Sequence, residues 1–114
     1  ISDTMLVKPY YGSLSDVEGL LEIAPKHFEL KQNYPNPFNP TTSVEFNIAS
    51  EEPVLLKIYD SIGREIATLV DQNLDAGTYT VQFGNDKSNV SSGIYFYRLQ
   101  TPTFSQTQKM ILVR

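Results

Sequence analysis

The sequence predicts an all-β protein: a seven-stranded antiparallel immunoglobulin-like β-sandwich preceded by an extended N-terminal tether. Two observations predict it. From Thr42 onward apolar and polar residues alternate in short runs, separated by turn residues at the spacing of a sandwich, with no convincing helix between them. Just before that pattern, Tyr34-Pro35-Asn36-Pro37-Phe38-Asn39-Pro40 holds three of the chain's seven prolines. Each proline fixes its own φ, lacks an N–H donor and pushes the preceding residue towards extended geometry, so this stretch can be neither helix nor central strand. It separates a tether, residues 1–29, from a β domain, residues 30–114.

In the tether, Ser15-Asp16-Val17-Glu18 has the form of a capping box, and the apolar spacing up to Ile23 fits about two helical turns. Short extended segments at 5–7 and 20–23 fit as well, and both readings stay open. In the proline loop, Asn36 and Asn39 suit side-chain-to-backbone turns, while Tyr34 and Phe38 are expected to plug the end of the sandwich. Val44, Phe46 and Ile48 then alternate with Ser43, Glu45 and Asn47, and Val54, Leu56 and Ile58 form the next inward set. Asp60-Ser61-Ile62-Gly63 reads as a hairpin turn with Gly63 at positive φ, leading to a strand at 64–70. Asp75-Ala76-Gly77 gives a second turn, read as a polar hairpin beginning at Asp71. Tyr79, Val81 and Phe83 follow in alternation, 84–92 is a polar loop, and Gly93 opens a strand at 94–100. Pro102 interrupts the pattern before a last strand at 104–113.

Composition narrows the chemistry. A net charge of −4 argues against nucleic acid or an anionic membrane as partner, since both demand clustered Lys and Arg. With no cysteine, a thiolate nucleophile or a cysteine metal site is excluded. No apolar run approaches the roughly 20 residues of a membrane helix, so no membrane insertion is expected. His27, the one histidine, lies in the tether, which leaves a serine triad without its base. Asp71-Gln72-Asn73-Leu74-Asp75 has oxygen donors at calcium-loop spacing, but Ala76 and Gln82 stand where such a loop needs glycine and a bidentate glutamate. Neither an enzymatic activity nor a metal or other cofactor is expected. The start Ile1-Ser2-Asp3-Thr4 reads as a piece cut from a longer protein.

Several fragments in order and register carry a resemblance. Leu30-Lys31-Gln32-Asn33 leads into the proline loop and Thr41-Thr42-Ser43-Val44-Glu45-Phe46 leaves it. Ile58-Tyr59-Asp60-Ser61-Ile62-Gly63-Arg64-Glu65, Ala76-Gly77-Thr78-Tyr79, Ser92-Gly93-Ile94-Tyr95-Phe96-Tyr97-Arg98 and Lys109-Met110-Ile111-Leu112-Val113-Arg114 follow. Residues 30–114 thereby resemble the type A C-terminal sorting domain of type IX secretion cargo. The resemblance implies a non-catalytic address that takes an attached N-terminal cargo domain through the periplasm to the cell surface or medium. It implies the type IX outer-membrane translocon and a surface sortase-like protease as partners. The motif positions it marks for recognition are Pro35, Asn36 and Pro37 in the proline loop, Gly93 and Tyr95 in the penultimate strand, and Lys109 in the last.

Packing accounts for some of the same residues: Gly93 as a strand opener, Tyr95 as core, Lys109 as an edge charge that discourages sheet-to-sheet aggregation. The rival reading of the whole is a carbohydrate-binding or structural spacer module of a surface enzyme. For the former, Tyr79, Tyr95 and Tyr97 could supply a planar row, although tryptophan, common in sugar platforms, is absent.

Overall fold

A computed structural model describes residues 25–84 and 90–114. The alternatives at 5–7 and 15–23, and the middle of the 84–92 loop, lie outside the described residues. Seven strands form: β1 (Glu29–Leu30), β2 (Thr42–Ile48), β3 (Glu52–Tyr59), β4 (Glu65–Leu74), β5 (Gly77–Phe83), β6 (Gly93–Thr101) and β7 (Phe104–Leu112). They make two sheets, β1-β2-β5 and β4-β3-β6-β7, with every neighbouring pair antiparallel. No helix occurs among the described residues. The expected all-β sandwich is what the chain forms.

The period-two pattern decides which side of each strand is dry. Val44, Phe46 and Ile48 of β2 and Tyr79, Val81 and Phe83 of β5 cover the inner side of one sheet. Val54, Leu56 and Ile58 of β3 meet them with Tyr95, Tyr97 and Leu99 of β6 and Met110 and Leu112 of β7. Full burial of such a side chain contributes about 1.5–3 kcal/mol before conformational entropy is counted, so this doubly covered layer dominates the favourable terms.

The sequence predicts hairpins at two turns, and only one of them forms. Asp60 N–H donates to the Arg64 carbonyl at 2.9 Å, Gly63 N–H donates to the Asp60 carbonyl at 3.0 Å, and Gly63 takes φ +92°, which closes β3 onto β4 as expected. At Asp75-Ala76, however, the chain passes from the four-stranded sheet to the three-stranded one, and the supposed hairpin from Asp71 is the end of β4. That strand outruns the expected 64–70 because Leu74, buried in the core, anchors its last turn of pairing opposite Glu52. Register shifts at Leu56/Lys57 and Ile58/Tyr59 twist β4 against β3. β4 thus stays beside β3, whereas in an immunoglobulin constant domain the fourth strand joins the other sheet.

β1 had no signal in the alternation. It pairs Glu29 with Asn47 and Leu30 with Phe46, while the ring of Phe28 stacks on Phe104 at 5.4 Å between centroids.

Candidate recognition surface

The proline loop is held to the sandwich from beneath by one buried amide. Asn33 is 2% exposed. Its backbone N–H donates to the Tyr97 hydroxyl at 2.7 Å, and that hydroxyl donates to the Lys31 carbonyl at 2.8 Å. The Asn33 side-chain Nδ2 donates to Thr42 Oγ1 at 2.9 Å and to the Pro35 carbonyl at 3.1 Å; Thr42 Oγ1 also donates to the Pro35 carbonyl at 2.8 Å. A proline-rich loop cannot satisfy its carbonyls by a strand ladder, so side chains take over that role. Burial pushes the Tyr97 phenol up to about 12, against a smaller opposing effect of the Asn33 N–H.

The loop then closes the edge of β7. Phe38 N–H donates to the Ile111 carbonyl at 2.9 Å and Val113 N–H donates to the Phe38 carbonyl at 3.0 Å, forming a parallel bridge between Phe38 and Leu112. Asn36 Oδ1 accepts from Ile111 N–H at 3.0 Å, across 75 residues of sequence. Further up, Leu30 N–H donates to Gln106 Oε1 at 2.9 Å, Gln108 Nε2 donates to the Leu30 carbonyl at 2.9 Å, and Gln32 Nε2 donates to the Lys109 carbonyl at 2.7 Å. Edge strands present unpaired backbone groups, and here residues 30–38 cover part of that row with amide side chains and a short backbone bridge.

The expected plug is half right. Phe38 is 1% exposed and meets Phe83 edge-on at 6.1 Å. Tyr34 is 81% exposed instead, because its backbone pairs with Ser43 and turns the ring outward.

Pro35, Asn36 and Pro37 are exposed on the loop, and Lys109 is exposed on β7. Gly93 is exposed opposite Leu112, the residue that Phe38 also bridges; Tyr95 lies opposite Met110. These positions therefore gather around the C-terminal half of β7. Tyr95 is buried, and its hydroxyl donates to the Ser91 carbonyl at 2.6 Å. Tyr79 does the same with the Asp75 carbonyl at 2.7 Å. In both cases the tyrosine stands two residues after the glycine that opens its strand, so Gly-x-Tyr is a repeated corner that ties a strand start to the preceding loop. Tyr79, Tyr95 and Tyr97 are therefore buried and cannot supply the exposed planar row that the rival carbohydrate-binding reading needs.

The residues missed in the sequence are Asn33, Thr42, Tyr97, Gln106 and Gln108. Gln106 and Gln108 share the period-two face of Met110 and Leu112, which was the available signal; the partners were not legible because they lie in the lead-in, at separations of 76 and 78 residues.

Residues 32–113 match the family model described as a secretion system C-terminal sorting domain. No curated protein matches the chain significantly.

Proposed function

The chain belongs to the family of secretion system C-terminal sorting domains, those of the type IX system, and from that premise we propose that it acts as a detachable address. It accompanies an N-terminal cargo domain to the outer membrane, is read there by the type IX translocon, and is removed by a sortase-like protease within the tether. Passage through the envelope to the surface or medium follows from the family itself. We divide the chain for this purpose into a cleavable tether, residues 1–29, and a recognition domain, residues 30–114. The work is binding, with no chemistry of its own.

One observation carries the assignment of the recognised surface: the exposed Pro35, Asn36, Pro37, Gly93 and Lys109 come from distant parts of the sequence yet surround one stretch of β7. Tyr95 supports that surface from below through its bond to Ser91. A soluble reporter carrying the 114 residues at its C-terminus, expressed in a bacterium with a working type IX system, should reach the surface. Lys109→Ala should leave thermal stability within about 0.5 kcal/mol, as for exposed side chains generally, while the reporter accumulates in the periplasm. Normal delivery of that variant removes Lys109 from the recognised set; periplasmic retention of the unaltered fusion overturns the address itself.

A further inference from the structure

The outer side of the four-stranded sheet carries a pattern that folding does not require. Cross-strand pairing sets Tyr59, Phe96 and Lys109 in one row, and Lys57, Arg98 and Thr107 in the next. Ile94 and Ile111 pair in the neighbouring row on the proline-loop side, with Ile94 43% exposed. Lys57 and Arg98 stand directly opposite one another, an arrangement that like charges disfavour. Lys57 is relieved by Glu65, its Nζ 3.1 Å from Oε1. Arg98 instead lies over the ring of Tyr59, 5.1 Å from its centroid. Among the described residues, neither Arg98 nor Lys109 has a carboxylate partner.

The outer side of the other sheet is built differently. Ser43, Glu45 and Asn47 face Gln82, Thr80 and Thr78 across β2 and β5, without an aromatic side chain, and Glu45 is already bound to Lys31 at 2.8 Å. An ordinary solvated face looks like that one. Two cations without carboxylate partners, set among aromatic and aliphatic side chains in a chain of net charge −4, describe a face prepared for an anion that brings apolar surface with it.

Resting on the sorting reading, we propose that the outer face of β3, β6 and β7 docks an acidic segment of a protein partner in the secretion apparatus. Carboxylates meet Arg98 and Lys109, and apolar side chains cover Phe96, Ile94 and Ile111. Charge complementarity of this kind sets the orientation and speed of encounter. An anionic lipid surface fits less well, because the remainder of the chain carries net negative charge and the cations are too few to offset it.

The test uses the complete 114-residue chain behind a reporter. Replacing both cations, Arg98→Glu with Lys109→Glu, should reduce surface delivery about tenfold or more through like-charge repulsion. Arg98→Lys with Lys109→Arg should restore it, and Thr80→Glu with Gln82→Glu on the opposite sheet should leave it unchanged. Should the reversed chain fail to melt cooperatively, Arg98→Gln with Lys109→Gln makes the same comparison without introducing repulsion. Undiminished delivery of a folded variant lacking both cations overturns the inference while leaving the address intact. Failure of the unaltered fusion to leave the periplasm overturns both. Co-sedimentation of the purified chain with phosphatidylglycerol vesicles, abolished by the double reversal, would assign the face to lipid and overturn the protein partner.

Discussion

Replacing Tyr97 with phenylalanine isolates the bond that fastens the proline loop. The ring, 0% exposed, keeps its place in the core, and only the hydroxyl is lost. That oxygen accepts from Asn33 N–H at 2.7 Å and donates to the Lys31 carbonyl at 2.8 Å. Asn33 is itself buried, so its N–H is left without a partner, and an unsatisfied buried donor costs about 1–3 kcal/mol. We expect Tyr97→Phe to lose about 2 kcal/mol at neutral pH, read as a lower urea midpoint with an unchanged slope. A second readout depends on pH. The phenol of the folded chain is raised to about 12, above the roughly 10 of an exposed tyrosine. A raised value means that the folded state holds its proton more tightly. The stability tied to that proton is therefore fully present below about pH 10 and lost as pH rises towards 12, by up to about 1.4 kcal/mol per pH unit. The gap between parent and variant should narrow across that window and be constant below it. Equal midpoints at pH 7, or parallel alkaline profiles for the two proteins, would refute the role given to the Tyr97 hydroxyl.

Three further outcomes follow from the geometry. Gly84→Ala should cost about 2 kcal/mol or more in chemical denaturation, since the residue takes φ +90° and a Cβ there collides with the Pro40 carbonyl oxygen. A chain beginning at Lys31 loses Leu30, buried beside β2, together with the Phe28 ring stacked on Phe104. Its unfolding midpoint should fall relative to a chain beginning at Pro25, with removal of the leucine side chain alone costing about 2–5 kcal/mol. The Asp60 carboxylate accepts from the backbone N–H groups of Arg64 and Ile62 and from Arg64 Nε, and the Arg64 N–H bond above all holds its pKa below the ordinary value. A lowered value contributes stability above about pH 4 that is lost as pH falls through the folded pKa, so acid titration should unfold the parent more steeply than Asp60→Ala.

The sequence by itself determined the fold class, the dry side of β2, β3 and β5, and the hairpin at Asp60-Ser61-Ile62-Gly63. All of these are local: alternation in β2, β3 and β5 reports which side each strand buries, whereas β6 and β7 carry large side chains on both faces, and Asp60 with Gly63 writes the turn into adjacent residues. Membership of the sorting-domain family was legible too, in the order of its short fragments. Sheet membership was decided by tertiary structure alone. Residues 71–77 look like a polar hairpin in isolation, and only the pairing of Glu52 with Leu74 keeps β4 running and sends the chain across to β5. β1 is too short to show a period, and Leu30 becomes a strand residue because Phe46 and the two glutamines of β7 supply its partners. Tyr34 and Phe38 are alike in type and opposite in fate, since a backbone bridge to Ser43 turns one outward and a bridge to Leu112 seats the other in the core. The same holds for the surface of Arg98 and Lys109: cross-strand register sets those side chains beside Phe96 and Tyr59, and register is a property of the folded sheet.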